Sequence, residues 1–111
     1  MLSADPPYML ILEGSLTTSR SEAVRNVILD ALRDHATVAV DCSKADEIDV
    51  TFLQTLIAAG RTAVDWRKDI RLAAPPPALL ADALRRCGFP VPASNTASLA
   101  ELFSIPSRAH P

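Results

Sequence analysis

Glycine is scarce, with three in 111 residues. A nucleotide cradle lined by backbone amides is hard to build from so few. Phosphate-loop and nucleophile-elbow motifs are also missing. The two cysteines, Cys42 and Cys87, and the two histidines, His35 and His110, lie far apart. They form no metal spacing and no Cys-x-x-Cys pair, so no metal and no cofactor is expected. Both cysteines are expected as buried, reduced thiols. The net charge of −2 supplies no basic surface for phosphates, which argues against nucleic acid as the main ligand. No run approaches the roughly 18 to 20 apolar residues that span a bilayer. The start, Met1 to Pro7, shows neither a basic n-region nor an apolar h-region, so the expected location is cytoplasmic.

What is present is ordinary globular material. Hydrophobic residues make up 49% and charged residues 22%. The length fits one domain, with its core at about 8–103 and a frayed tail at 104–111. Tyr8 to Leu12 is a short apolar run between Pro6-Pro7 and Glu13-Gly14, and it reads as a strand. Ser19 and Glu22 have capping-box spacing before a helix of about Arg20 to Asp34. Its apolar stripe is Val24, Val27, Ile28, Ala31 and Leu32. His35 follows as a solvated helix-end residue. Thr37 to Cys42 is a β-branched strand, and Ser43 to Asp49 reads as a polar loop that Asp41 orders through backbone amides. Thr51 to Lys68 is a second helix with a stripe of Leu53, Leu56, Ile57, Gly60 and Val64. Ile70 to Ala74 is a third strand, ended by Pro75-Pro76-Pro77. A third helix follows, with Leu80, Ala83, Leu84 and Cys87 buried and Gly88 at its left-handed end. Ser98 and Glu101 open a short last helix. Alternating strands and helices predict an α/β domain with a mainly parallel sheet and about four helices.

The ordered set of segments resembles the STAS domain, the fold of anti-sigma factor antagonists. The matching stretches are VAVDCSKADEIDVTFLQTLIAAGRTA and IRLAAPPPALLADALRRCGF, preceded by the Glu13-Gly14-Ser15-Leu16 turn. In that family an Asp-Ser-Ser-Gly-Leu-like motif opens a helix, and a partner kinase phosphorylates the second hydroxyl residue. Asp49 matches the Asp, Val50 the first Ser, Thr51 the second and Leu53 the Leu, while Phe52 stands where the family has Gly. The resemblance therefore implies Thr51 as phosphoacceptor. It implies a protein partner: a signalling kinase, an anti-sigma-factor-like protein, or a histidine kinase of chemotaxis-like signalling. Other STAS proteins of this size are structural subunits beneath the ATPase of a lipid-transporting ABC complex, which implies an alternative role without phosphorylation. Either role is non-catalytic.

Thr51 opens the second helix, where unpaired amides favour an added anion. A phosphate there would change a docking surface by roughly −1.5 to −2 charges. The same residues also read as plain caps, Thr51 with Gln54 or Asp49 by itself. At helical spacing, Thr51, Thr55, Ala58, Ala59 and Thr62 share one side, beside Phe52 and Trp66. That side reads as a partner-docking face from Asp49 through Val50 to Trp66, with Phe52 and Trp66 either as its anchors or as core-edge residues.

Overall fold

A computed structural model describes residues 6–73, 75–92 and 98–106. Three strands, β1 (Tyr8–Leu16), β2 (Thr37–Ile48) and β3 (Asp69–Leu72), form a parallel sheet in the order β1-β2-β3. They alternate with α1 (Ser21–Asp34), α2 (Val50–Asp65) and α3 (Ala78–Arg86), and a one-turn α4 (Leu99–Leu102) closes the described fold. An isolated antiparallel bridge joins Arg71 to Ser98. The α/β class, the parallel sheet and the four helices agree with the expectation from sequence.

Leu10 and Leu12 of β1, Val38 and Val40 of β2, and Ile70 and Leu72 of β3 alternate inward. They meet Ile28 and Leu32 of α1 and Leu53 and Leu56 of α2 in one cluster. The period of two in the strands and 3.6 in the helices is what brings these residues together. Leu32, Val38, Leu56, Leu84 and Leu99 are fully buried.

The strands run further than the apolar patterns suggest. Ser43 to Ile48, read as a loop, continues β2 and pairs with Glu13 to Leu16 of β1. Two register shifts, between Ile11 and Glu13 and between Gly14 and Ser15, each absorb one extra residue of β2. Gly14 adopts φ +79 there, in the left-handed region. Ile48 is the one buried side chain in this half of β2, so hydrophobic patterning carries little trace of the strand.

Helix boundaries follow local chemistry. A 3-10 turn, Thr18–Arg20, precedes α1. Ser19 therefore lies inside the turn and does not cap, and the N-cap position falls to Arg20 without a side-chain cap. Lys68 donates to the carbonyls of Leu32 and Arg33 and covers the C-terminus of α1. α3 ends in a Schellman motif: Phe89 N donates to Leu84 O at 2.9 Å, Gly88 N to Arg85 O at 3.1 Å, and Gly88 takes φ +83. Ser98 caps α4 through the Ala100 amide, as its spacing predicts. Val27 and Cys87, read as buried, are exposed. Val27 lies on the flank of α1 away from α2, and Cys87 is the solvent-facing C-cap of α3.

The C-terminal segment is partly structural. Ile105 packs against the core, and a Cβ placed on Gly60 would sit 2.7 Å from its Cδ1. Phe103 meets Phe89 edge to face at 4.9 Å. The remainder of the expected tail, 107–111, lies outside the described residues, as does the Ala74 end of the predicted third strand.

Candidate protein-docking site

The parallel register pairs Leu16 with Ile48. The chain leaving β1 and the chain entering α2 therefore emerge side by side, and two segments distant in sequence form one surface. Asp49 sits at the centre. It holds the N-cap position of α2 with extended backbone, and its Oδ1 accepts from the amides of Thr51 at 3.0 Å and Phe52 at 3.3 Å. Its Oδ2 accepts from the Thr18 amide at 3.1 Å and the Thr18 hydroxyl at 3.3 Å. One carboxylate thus ties the 3-10 turn to the start of α2.

Thr51 is half-buried, and its Oγ1 lies 2.8 Å from Thr18 Oγ1. A separate set of hydroxyls lies in the same turn. Thr17 lies 3.1 Å from Ser15 and 3.3 Å from Ser19, and Ser15 donates to Glu47 at 3.1 Å. Of the two capping alternatives, Asp49 is the cap, and Thr51 occupies the first turn with its hydroxyl turned to Thr18.

Around α2 the predicted face divides. Val50 is 54% exposed and Trp66, at the C-cap, 41% exposed. Thr51, Thr55 and Thr62 are half-buried. They stand on the flank of α2 turned toward α1. A shallow groove runs there between Arg25, Ile28 and Leu29 of α1 and Thr55, Ala58 and Thr62 of α2, and it continues past Gln54 to Thr51. Phe52 does not belong to the surface, whereas Ala59, although buried, lines the groove between α1 and α2. Phe52 is 3% exposed and Ala59 is buried, both within the core cluster. At 100° per residue they lie beside Leu56 and Ala63, which face the sheet. Phe52 is therefore a core residue and not an exposed docking anchor, and its ring does not stand over Thr51 from outside.

Sequence reasoning missed Thr18, which touches both Asp49 and Thr51, and did not bring Arg25 of α1 to the groove that it lines. The Thr17-Thr18-Ser19 run was the available signal for a polar turn, but its target is set by strand register.

The other strand-end carboxylate, Asp41, belongs elsewhere. It accepts from the Ser43 amide at 2.8 Å, as expected, beside a hollow lined by Cys42, Pro75 and Leu80. That amide, with the Ser43 hydroxyl, holds the Asp41 carboxyl below its ordinary value. Cys42 is buried, and burial followed by the Asp41 charge pushes its thiol up to about 12. His35 is half-buried at the end of α1 and stacks on Tyr8, with centroids 4.1 Å apart. Among the described residues no group of three or more His, Cys, Asp or Glu could hold a metal ion, and no helix is long and apolar enough to cross a membrane.

A family model described as Mlab, STAS domain matches residues 3–89. No curated protein and no solved structure matches significantly. This chain belongs to the STAS domain family.

Proposed function

We infer that this chain is a non-catalytic regulatory module that docks onto a protein partner through the Thr51 end and α1-facing flank of α2. The partner is a signalling kinase or an anti-sigma-factor-like protein, and phosphorylation of Thr51 switches the contact. Family membership supports a binding module of the STAS type. The observation that carries the switch is the contact of Thr51 with Thr18, itself held by Asp49. A phosphoryl group on Thr51 Oγ1 would add roughly −1.5 to −2 charges next to a hydroxyl that already faces a carboxylate. Thr51 can then no longer donate to Thr18, and the nearby Asp49 charge opposes the new one. The turn Thr18–Arg20 and the mouth of the groove would then present a different surface, while the core cluster beneath stays intact.

The docking face is built from Thr51, Thr55, Thr62 and Trp66, with Val50 exposed beside its start on the side of α3 and Asp49 as the residue that positions that start. Val50 and Trp66 stand about 24 Å apart along the helix, at 1.5 Å rise per residue. That length suits a partner element lying along α2 better than one contacting a single point.

A second reading has its own support. Val50 removes one of the family's two hydroxyls, and the hydroxyl of Thr51 is already engaged. Both suit a constitutive subunit of a lipid-transport ABC complex, held against its ATPase without phosphorylation.

The two readings separate in one experiment. Wild type, Thr51→Ala and Thr51→Glu serve as baits for affinity capture, with mass spectrometry of partners and of Thr51 itself. A kinase or anti-sigma-like protein held by wild type and Thr51→Ala, and released by Thr51→Glu, supports the switch. Equal retention by all three baits rejects it, and an ATPase so retained favours the structural subunit.

A further inference from the structure

Among the described residues the sheet has an open edge. No described element pairs with the outer side of β1, and large apolar side chains gather around it. Met9 is 50% and Ile11 47% exposed, and Tyr8 and Val27 are exposed as well. Met9 and Ile11 project from the sheet face opposite α1 and α2, because their neighbours Leu10 and Leu12 point into the core. Val27 lies on the flank of α1 away from α2 and so overhangs the same edge.

Only part of the edge is open. Arg20 Nη1 donates to Glu13 O at 2.9 Å and Ser15 O at 3.1 Å, which occupies the outward carbonyls of the second half of β1. A guanidinium laid on a strand edge blocks further pairing there. The segment left is Tyr8 to Leu12, five residues without a charge.

The backbone of that segment has a definite polarity. Val40 O accepts from Ala73 N on the β3 side, so Ala39 and Asp41 of β2 turn their amides and carbonyls toward β1. In a parallel ladder with Met9 opposite Ala39 and Ile11 opposite Asp41, these bond to the even-numbered residues of β1. The amides and carbonyls of Met9 and Ile11 therefore face outward, in line with Glu13 and Ser15.

We propose that this edge pairs with the same edge of a second copy, antiparallel, about a two-fold axis at Leu10. The stereochemistry closes on itself. Met9 falls opposite Ile11 of the other copy and Ile11 opposite its Met9. Each pair exchanges two hydrogen bonds, and the sheet becomes six-stranded. The side chains of Met9 and Ile11 from both copies form one apolar patch on the bare face. Glu13 falls opposite Pro7 of the other copy, so no like charges meet. Arg20 stops the register from sliding toward residue 13. The interface is of the isologous kind that terminates at two copies. The exposed parts of the four apolar side chains amount to roughly 350 Å² per copy, since a whole aromatic side chain offers about 150–250 Å². With the strand backbone added, the pair reaches about the 1,000 Å² at which specific interfaces begin, so the dimer is weak and concentration-dependent.

Sedimentation velocity of the full chain across a concentration series up to the millimolar range tests this. Wild type is expected to pass reversibly from monomer to dimer, while Ile11→Lys and Met9→Lys stay monomeric with thermal midpoints within a few degrees of wild type. In wild type, hydrogen exchange at the Met9 and Ile11 amides slows at least several-fold between dilute and concentrated samples. That readout needs no variant. A monomer at every concentration overturns the proposal. So does a dimer that survives both lysine substitutions, one abolished by Val50→Lys instead, or an open-ended aggregate in place of a closed pair.

Discussion

Replacing Asp49 by alanine tests the joint on which the candidate site rests. The carboxylate accepts from four donors: the Thr51 and Phe52 amides, the Thr18 amide and the Thr18 hydroxyl. Loss of an Asp N-cap costs about 1 kcal/mol, within a range of 0.5–2. The tie to Thr18 adds about 1 kcal/mol, less than the roughly 1.5–3 of a hydrogen bond to a charged group, because it is exposed to solvent. The expected loss is therefore about 2 kcal/mol. At roughly 4 °C per kcal/mol for a domain of this size, the thermal midpoint falls by about 8 °C. Asp49→Asn keeps an acceptor at the cap and should lose less than about 1 kcal/mol. Urea unfolding followed by circular dichroism gives both values, with the slope unchanged if the denatured state is unaffected. Thr18→Val removes one hydroxyl, and combined with Asp49→Ala it should cost less than the sum of the two single losses, because they share a contact. Asp49→Ala within about 0.5 kcal/mol of wild type, or strict additivity with Thr18→Val, would refute the two-sided role of this carboxylate.

Phe52→Ala should lose about 3–5 kcal/mol, the range for a buried Phe in a core. Trp66→Ala, at the exposed end of α2, should stay within about 0.5 kcal/mol; a Phe52→Ala protein of wild-type stability that fails to bind partner would return Phe52 to the surface. The two cysteines should separate cleanly in thiol labelling at neutral pH, with Cys87 reacting at once and Cys42 only on unfolding, and equal rates would contradict the buried site. The stability that Cys42 contributes as a neutral thiol is complete below its ordinary pKa of 9.0 and is lost as pH rises toward about 12. A Cys42→Ala protein should therefore show a shallower alkaline loss of stability than wild type.

Each feature that was legible in the sequence depends on residues a few positions apart. The cap at Asp49, the left-handed close of α3 at Gly88 and the cap of α4 at Ser98 are contacts between near neighbours, so residue type and spacing suffice. The core stripe of α2 through Leu53 and Leu56 follows from the 3.6 period. The resemblance to STAS domains was legible for the same reason, as an ordered series of such local signals. Phe52 marks the limit. The apolar arc of α2 is wide because the helix packs against the sheet, α1 and α4 together. Periodicity registers that arc and does not say which part of it a neighbouring helix covers.

The far half of β2 and the environment of Thr51 required tertiary structure. Ser43 to Ile48 carries a polar pattern, and it is a strand because the backbone of β1 lies beside it. Thr18 meets Asp49 across 31 residues and Thr51 across 33. By itself the sequence determined the alternation of strands and helices, the caps at Asp49 and Ser98, the close of α3 at Gly88 and most of each buried stripe, since these are settled by interactions within about one turn. The start of α1 and the exposure of Val27 depend instead on what packs nearby. Which hydroxyl faces Thr51, and which edge of the sheet stays open, was decided by the register of parallel strands. Two strands joined through a helix can pair only after the chain between them has folded, so that register is a property of the whole domain.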